Sequence, residues 1–157
     1  MDDLFLARAL HVLAVVHWIG GVAMVTLVIL PALRAFGADA DRLALFERLE
    51  GRFSGQARVS VAVAGLSGFY LAWRLDLWAR FARPEYWWMH AMVTVWALFA
   101  VVLFIAEPLF LHAWFHRRAA RAPVASFARV QWAHRVLLTV ATVTVLGAVA
   151  GSHGWMM

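Results

Sequence analysis

Apolar residues dominate four stretches of this chain, each close to the length a helix needs to cross a bilayer. That length is about 20 residues. The first stretch runs from about Leu4 to Leu30 and is expected to stop at Pro31. The second runs from about Val59 to Trp78, the third from Tyr86 or Trp87 through Ala106, and the fourth from about Val130 to Gly151. The third is expected to stay helical to His116, past a kink at Pro108, because proline removes a backbone donor and crowds the preceding turn. With flanking turns the expected helices are about 4–30, 57–79, 86–116 and 128–152. Between the first two, Leu43, Phe46, Leu49 and Phe53 recur at helical spacing among charges. That pattern predicts an amphipathic interfacial helix, capped by Asp41 and broken at Gly51 or Gly55, or else a lead-in turn of the second span. The expected fold is an all-α integral membrane protein. It is a single transmembrane domain, a four-helix bundle with a short amphipathic helix between helices 1 and 2.

Composition removes the soluble alternative. The 157 residues are 64% hydrophobic and 15% charged, whereas soluble domains run roughly half apolar and a quarter charged. Residues that would cover such a core in water are missing. Cysteine is absent, which excludes disulfides, thiolate metal sites and a c-type haem and argues against an iron–sulfur cluster. All fourteen basic residues are Arg, so Schiff-base or Lys-base chemistry is excluded as well. The net charge of +5 fits loops that face anionic lipid heads. Nucleic acid is not an expected partner, because the Arg residues lie between hydrophobic spans. The opening Met1-Asp2-Asp3 lacks the basic region of a secretory signal, so the first span is expected to be retained.

Trp73, Trp78, Trp87 and Trp88 flank the second loop and Trp155 closes the fourth span, as in an aromatic belt. Arg34, Arg42, Arg48 and Arg52 lie in the first loop, with Arg58 at its edge; Arg117, Arg118 and Arg121 lie in the third, with Arg129 after it. The opposite side carries Arg8, Arg74, Arg80 and Arg83. The positive-inside rule then puts loops one and three in the cytoplasm and both termini outside, in a bacterial inner membrane.

Ionisable groups at membrane depth need a reason, since each is costly there. His11 and His17 point about 120° apart on the first helix, so they are not expected to face the same partner. His17 shares its face with Gly20, Gly21 and Met24, where small residues allow a helix or a flat cofactor to approach. On the third span His90, Thr94, Ala97, Val101, Phe104, Glu107 and His112 fall within about 40° of one line. That stripe should face the interior. His90, His153 and His11 belong to an outer group and His17 lies near mid-membrane. Arg58, Glu107, His112, His116, His134 and Arg135 belong to an inner one. Arg58 and Arg135 are the candidate partners of Glu107. Such a cluster is either an ordinary ion pair with headgroup contacts or a site that handles protons or anchors propionates.

Several histidines inside a four-helix membrane bundle suit haem b. Its iron takes one or two imidazoles and its ring fits between apolar helices. His11 and His90 are the expected iron ligands, with His17, His112 and His134 as further candidates, for one or two haems. Copper is the rival. Met89-His90-Ala91-Met92 opens the third span and Ser152-His153-Gly154-Trp155-Met156-Met157 closes the fourth on the same side. Met89, Met92 and His153 supply the donors that suit copper(I). No His-Glu-x-x-His set, phosphate-cradling Gly loop or serine nucleophile motif occurs.

The run Leu10-His11-Val12-Leu13-Ala14-Val15-Val16-His17-Trp18-Ile19-Gly20-Gly21, followed by Leu30-Pro31-Ala32-Leu33-Arg34, resembles the first helix of small membrane proteins of the CopD group and of HemJ-type protoporphyrinogen oxidases. In the HemJ pattern a haem-ligating His precedes a Trp by seven residues and a Gly by ten, which here are His11, Trp18 and Gly21. Trp88-Met89-His90-Ala91-Met92 looks like that family's Trp-Leu-His-x-Lys segment, and Phe46-Glu47-Arg48-Leu49 like its amphipathic linker. Met92 stands where the family has its functional Lys, Leu27 where it has an Arg, and the Asn-Glu-x-Pro opening of the last helix is replaced by Gln131-Trp132-Ala133-His134. The resemblance implies the fold and haem at His11 more than the oxidase activity.

The expected function is therefore that of a membrane haem b protein with a redox role. It would transfer electrons or oxidise a small hydrophobic donor such as a quinol, a porphyrinogen or superoxide. A HemJ-like protoporphyrinogen oxidase, a CopD-like copper carrier and a cofactor-free structural subunit are the competing classes. A homodimer through Gly65 and Gly68 is one expected assembly.

Overall fold

The computed structural model describes residues 2–35, 39–111 and 123–155. It is all-helical, with no strand among the described residues. Helix α1 spans Asp2–Met24 and runs through a π-helical segment, Val25–Ile29, into α2, Leu30–Ala35. Pro31 therefore does not end the helix. The helix widens to a π turn just before Pro31, which makes room for the proline ring within a continuous helix. Helix α3 is continuous over Asp39–Arg74. After two 3₁₀ turns, Trp78–Ala82 and Pro84–Tyr86, α4 spans Trp87–Val101 and continues as a π-helical segment, Val102–Leu111, around Pro108. Helix α5 spans Pro123–Ser152. The expected course of the third span to His116, with His112 on it, falls outside the described residues.

Among the described residues, three helical stretches are long and apolar enough to cross a membrane: Asp2–Arg34, Pro84–Leu109 and Ser126–Ser152. The second half of α3 is more polar, since Arg58, Ser60, Gly65, Ser67, Gly68 and Tyr70 interrupt its apolar run.

Helix α3 does not break at Gly51 or Gly55, so the amphipathic segment read as an interfacial helix is the first part of α3. Phe46 and Phe53 on its apolar side face protein. Phe46 is 2% exposed and packs with Val25, Leu30, Leu33 and Phe127, making an edge-on ring contact with Phe127 at 5.6 Å. A second cluster fills the bundle centre with Trp18, Val22, Val61, Val95, Phe99 and Leu103. There the Trp18 and Phe99 rings meet edge to face at 4.8 Å. A third cluster, Tyr86, Trp88 and Met89, closes the end of the bundle where α4 begins.

Small residues set how closely the helices approach. Gly65 on α3 receives the indole of Trp96, whose Nε1–H donates to the Val61 carbonyl at 2.9 Å. Gly68 receives the His11 ring. The two positions expected to meet a second copy are thus used within this chain. Gly21 packs under Phe53 of α3, whereas Gly20 faces open space. Of the glycine pair, only Gly21 serves a helix contact.

A methyl group at Gly65 would lie 2.5 Å from Trp96 Cζ2, and the indole is held there by its bond to Val61. Gly65→Ala is expected to destabilise the protein by about 1–3 kcal/mol. Gly20→Ala should leave stability unchanged or slightly raised. Thermal unfolding of both variants in detergent checks the contrast.

Candidate functional site: the α1–α3 histidines and the Arg58 cap

The buried stripe of α1 is Ala7, Ala14, Trp18 and Val22. His11 and His17 stand about 60° to either side of Ala14. The expectation that they face different partners is not met, because both reach α3. His11 Nδ1–H donates to the Ala64 carbonyl at 2.9 Å and lies 3.2 Å from Ser67 Oγ. His17 Nδ1 lies 2.8 Å from Ser60 Oγ. Two side chains that diverge by 120° can straddle one helix. The small residues Ala57, Ala64 and Gly68 let α3 settle over Ala14, and each imidazole reaches it from its own flank. Ser60 and Ser67 are two turns apart and share a face.

The same register extends along the whole pair. Asp3 Oδ2 accepts from Tyr70 Oη at 2.8 Å and from Arg74 Nε at 3.1 Å. From Asp3 to Gly21 on α1, the partners on α3 descend from Arg74 to Phe53, about one for one, as an antiparallel pair requires. Sequence reasoning missed Asp3, Ser60, Ala64 and Ser67. A seven-residue spacing of serines in an apolar helix was the available signal.

A carbonyl can only accept, so the bond to Ala64 fixes the proton of neutral His11 on Nδ1. Nε2 then carries the lone pair. His11 is half-buried, and its Cε1 lies 2.9 Å from where a Gly68 Cβ would stand. His17 is exposed. Trp18 is 4% exposed, and its Nε1–H has no partner among the described residues.

The other expected ligands that are described lie away from this helix pair. His90 is exposed and donates Nε2–H to the Phe81 carbonyl at 2.8 Å, with its ring edge-on to Phe81 at 5.2 Å. It thereby ties the loop to α4 and spends the nitrogen that an iron ligand normally offers. His134 and His153 each donate Nδ1–H to a carbonyl one turn back on α5, Val130 at 2.9 Å and Val149 at 2.8 Å, so their Nε2 atoms keep a lone pair but neither ring is held by a second helix. Met89 is buried beside Tyr86 and Trp88, Met92 packs against that cluster, and His153 is exposed. Among the described residues no three His, Cys, Asp or Glu side chains gather in a metal-binding group.

Of the two expected partners for Glu107, Arg58 takes the role and Arg135 is exposed. Arg58 Nη2 lies 3.3 Å from Glu107 Oε1. Arg58 Nε also donates to the Leu103 carbonyl at 2.9 Å. That second bond has a specific cause. In a π-helix each N–H bonds to the carbonyl five residues back. Pro108 has no N–H, so Leu103 loses its donor, and Arg58 supplies one from the neighbouring helix.

No protein-family model, curated protein or solved structure matches this chain.

The Arg58–Glu107 pair is partly exposed, at 36% and 22%. Such pairs contribute roughly 0–1 kcal/mol, whereas a stranded buried carbonyl costs about 1–3 kcal/mol. Arg58→Leu should therefore destabilise more than Glu107→Gln. Pro108→Ala restores a backbone donor, so Arg58→Leu should cost less in that background. A double-mutant cycle on Arg58 and Pro108, read by thermal unfolding, measures the difference.

Proposed function

We propose that this chain is an integral membrane haem b protein with a redox role, and that α3 is its fourth span. Helix α3 runs antiparallel along α1 from Asp3 to Gly21, so a bilayer crossed by one is crossed by the other. The Arg distribution supports a bacterial inner membrane, with loops one and three in the cytoplasm and both termini outside.

One observation carries the reading. Among the described histidines only His11 has its proton held on Nδ1 by a carbonyl of a second helix, that of Ala64 at 2.9 Å, which fixes the ring between two helices and leaves Nε2 to donate its lone pair. Metal-ligating imidazoles are oriented in this way, by a hydrogen bond from the second ring nitrogen. The donor is also chemically right, since haem iron takes neutral imidazole. Trp18, Val61 and Phe99 fill the bundle centre. The flank of the α1–α3 pair, where His11 is half-exposed, is therefore our binding place.

His90 would have to release Phe81 to serve as a second ligand. We therefore assign His11 as the single residue of this chain that would hold the iron. When bound, the haem supplies one-electron chemistry toward a small hydrophobic donor such as a quinol. The chain's own part is to hold and orient: Ala64 and Ser67 fix the His11 ring, and Gly68 gives it room. The resemblance of His11, Trp18 and Gly21 to the HemJ-type pattern agrees with this ligand. Met92, in the place of the family's Lys, argues against carrying over the oxidase reaction.

Detergent-purified protein supplied with haem should show a Soret band. His11→Ala should abolish or shift it, Ser67→Ala should shift it less, and His153→Ala should leave it unchanged. A preparation that stays colourless after haem supplementation would sink the reading.

A further inference from the structure

Two open clefts adjoin at the loop-one end of the molecule. The first, about 150 Å³, is lined entirely by apolar residues: Val28, Ile29, Ala32, Leu33, Leu45 and Leu49. The second, about 360 Å³, is lined by Leu45, Arg48, Leu49 and Arg52. They share Leu45 and Leu49, so they form one continuous depression with an apolar part and a basic part. The spacing on α3 explains the division. Leu45 and Leu49 are one turn apart, as are Arg48 and Arg52, so the two pairs lie side by side. The small side chain of Ala32 keeps the apolar part open from the other wall.

Arg48 and Arg52 are exposed, and among the described residues neither makes an ion pair. The nearby Glu50 lies about 200° around α3 from Arg48, on the opposite side. The depression stands where the apolar stretch Asp2–Arg34 ends, which is the depth of the headgroup layer for a helix that crosses a bilayer. An apolar slot with two exposed guanidiniums at its mouth complements one kind of molecule, an amphiphile with an acyl chain and an anionic head.

We propose that this depression binds one molecule of anionic phospholipid. The phosphate lies between Arg48 and Arg52, and an acyl chain lies along Ala32, Leu45 and Leu49. Basic pockets beside membrane helices recognise phospholipid heads in this manner, and Arg suits phosphate by its planar fork of donors. The site is independent of His11 and of any haem.

Native mass spectrometry of the detergent-purified full chain tests the assignment. The probes are phosphatidylglycerol, phosphatidylcholine of the same chains, and the free fatty acid. Phosphatidylglycerol should remain bound through delipidation and the other two should not. The double variant Arg48→Gln/Arg52→Gln should weaken its retention by roughly tenfold or more. Ala32→Phe, which fills the slot and keeps both charges, should also reduce it, whereas His11→Ala should not. Should the double Arg variant fail to fold, Ala32→Phe decides alone. Equal retention of phosphatidylcholine or of the fatty acid overturns the proposal, as does unchanged phosphatidylglycerol binding in Ala32→Phe.

Discussion

The antiparallel pairing of α1 with α3, pinned by His11 and His17, is the interaction on which the rest of the bundle depends. In lipid there is little hydrophobic drive between helices, because acyl chains are as apolar as leucine. Association rests on close packing of small residues and on hydrogen bonds across the interface, each worth about 0.6–2 kcal/mol. The α1–α3 pair has both, with Ala14 against the small residues of α3 and an imidazole on each flank. The contacts from Asp3 to Tyr70 and Arg74 extend the register to one end, and Phe53 over Gly21 extends it toward the other. Once that register is set, Trp96 finds Gly65, and Arg58 stands opposite Leu103 and Glu107.

On the proposed function, His11 has two duties that do not conflict. One ring nitrogen belongs to the fold, and the other would serve the iron. A side chain that served only as a ligand would need a separate device to orient it. Here the helix pairing and the orientation of the ring are one arrangement, so a change that loosens α3 also loosens the candidate ligand.

Much of this was legible in the sequence wherever a long apolar run or a costly charge left few options. The runs on α1, α4 and α5 are near the expected places, and Arg58 was one of two partners read for Glu107. The misreadings arose where tertiary contacts overrode a local rule. Pro31 looked like a stop, but the π segment before it makes room for the proline ring. Gly51 and Gly55 looked like breaks, but packing of Phe46 and Phe53 on α1 and α5 holds α3 straight through them. Leu43, Phe46, Leu49 and Phe53 looked like one membrane-facing stripe. In the folded chain Phe46 and Phe53 face the protein, and Leu49 lines the cleft with Leu45. The 120° between His11 and His17 was right as an angle. It misled because one helix of small residues can lie between two diverging side chains.

The arginine that completes the broken turn at Pro108 also bears on how the chain is made. By itself the π segment would carry the Leu103 carbonyl into lipid without a donor, and α3 would carry an unpaired guanidinium. Both are expensive in a hydrocarbon layer. Neither segment is finished until it meets the other, and α3 is synthesised first. The economical order of events is entry of α3 and α4 as a hairpin, with Arg58 already facing the lipid-free side when Pro108 arrives. If α3 is a span as proposed, the broken turn would work as an assembly check, since a hairpin that pairs out of register leaves both groups stranded.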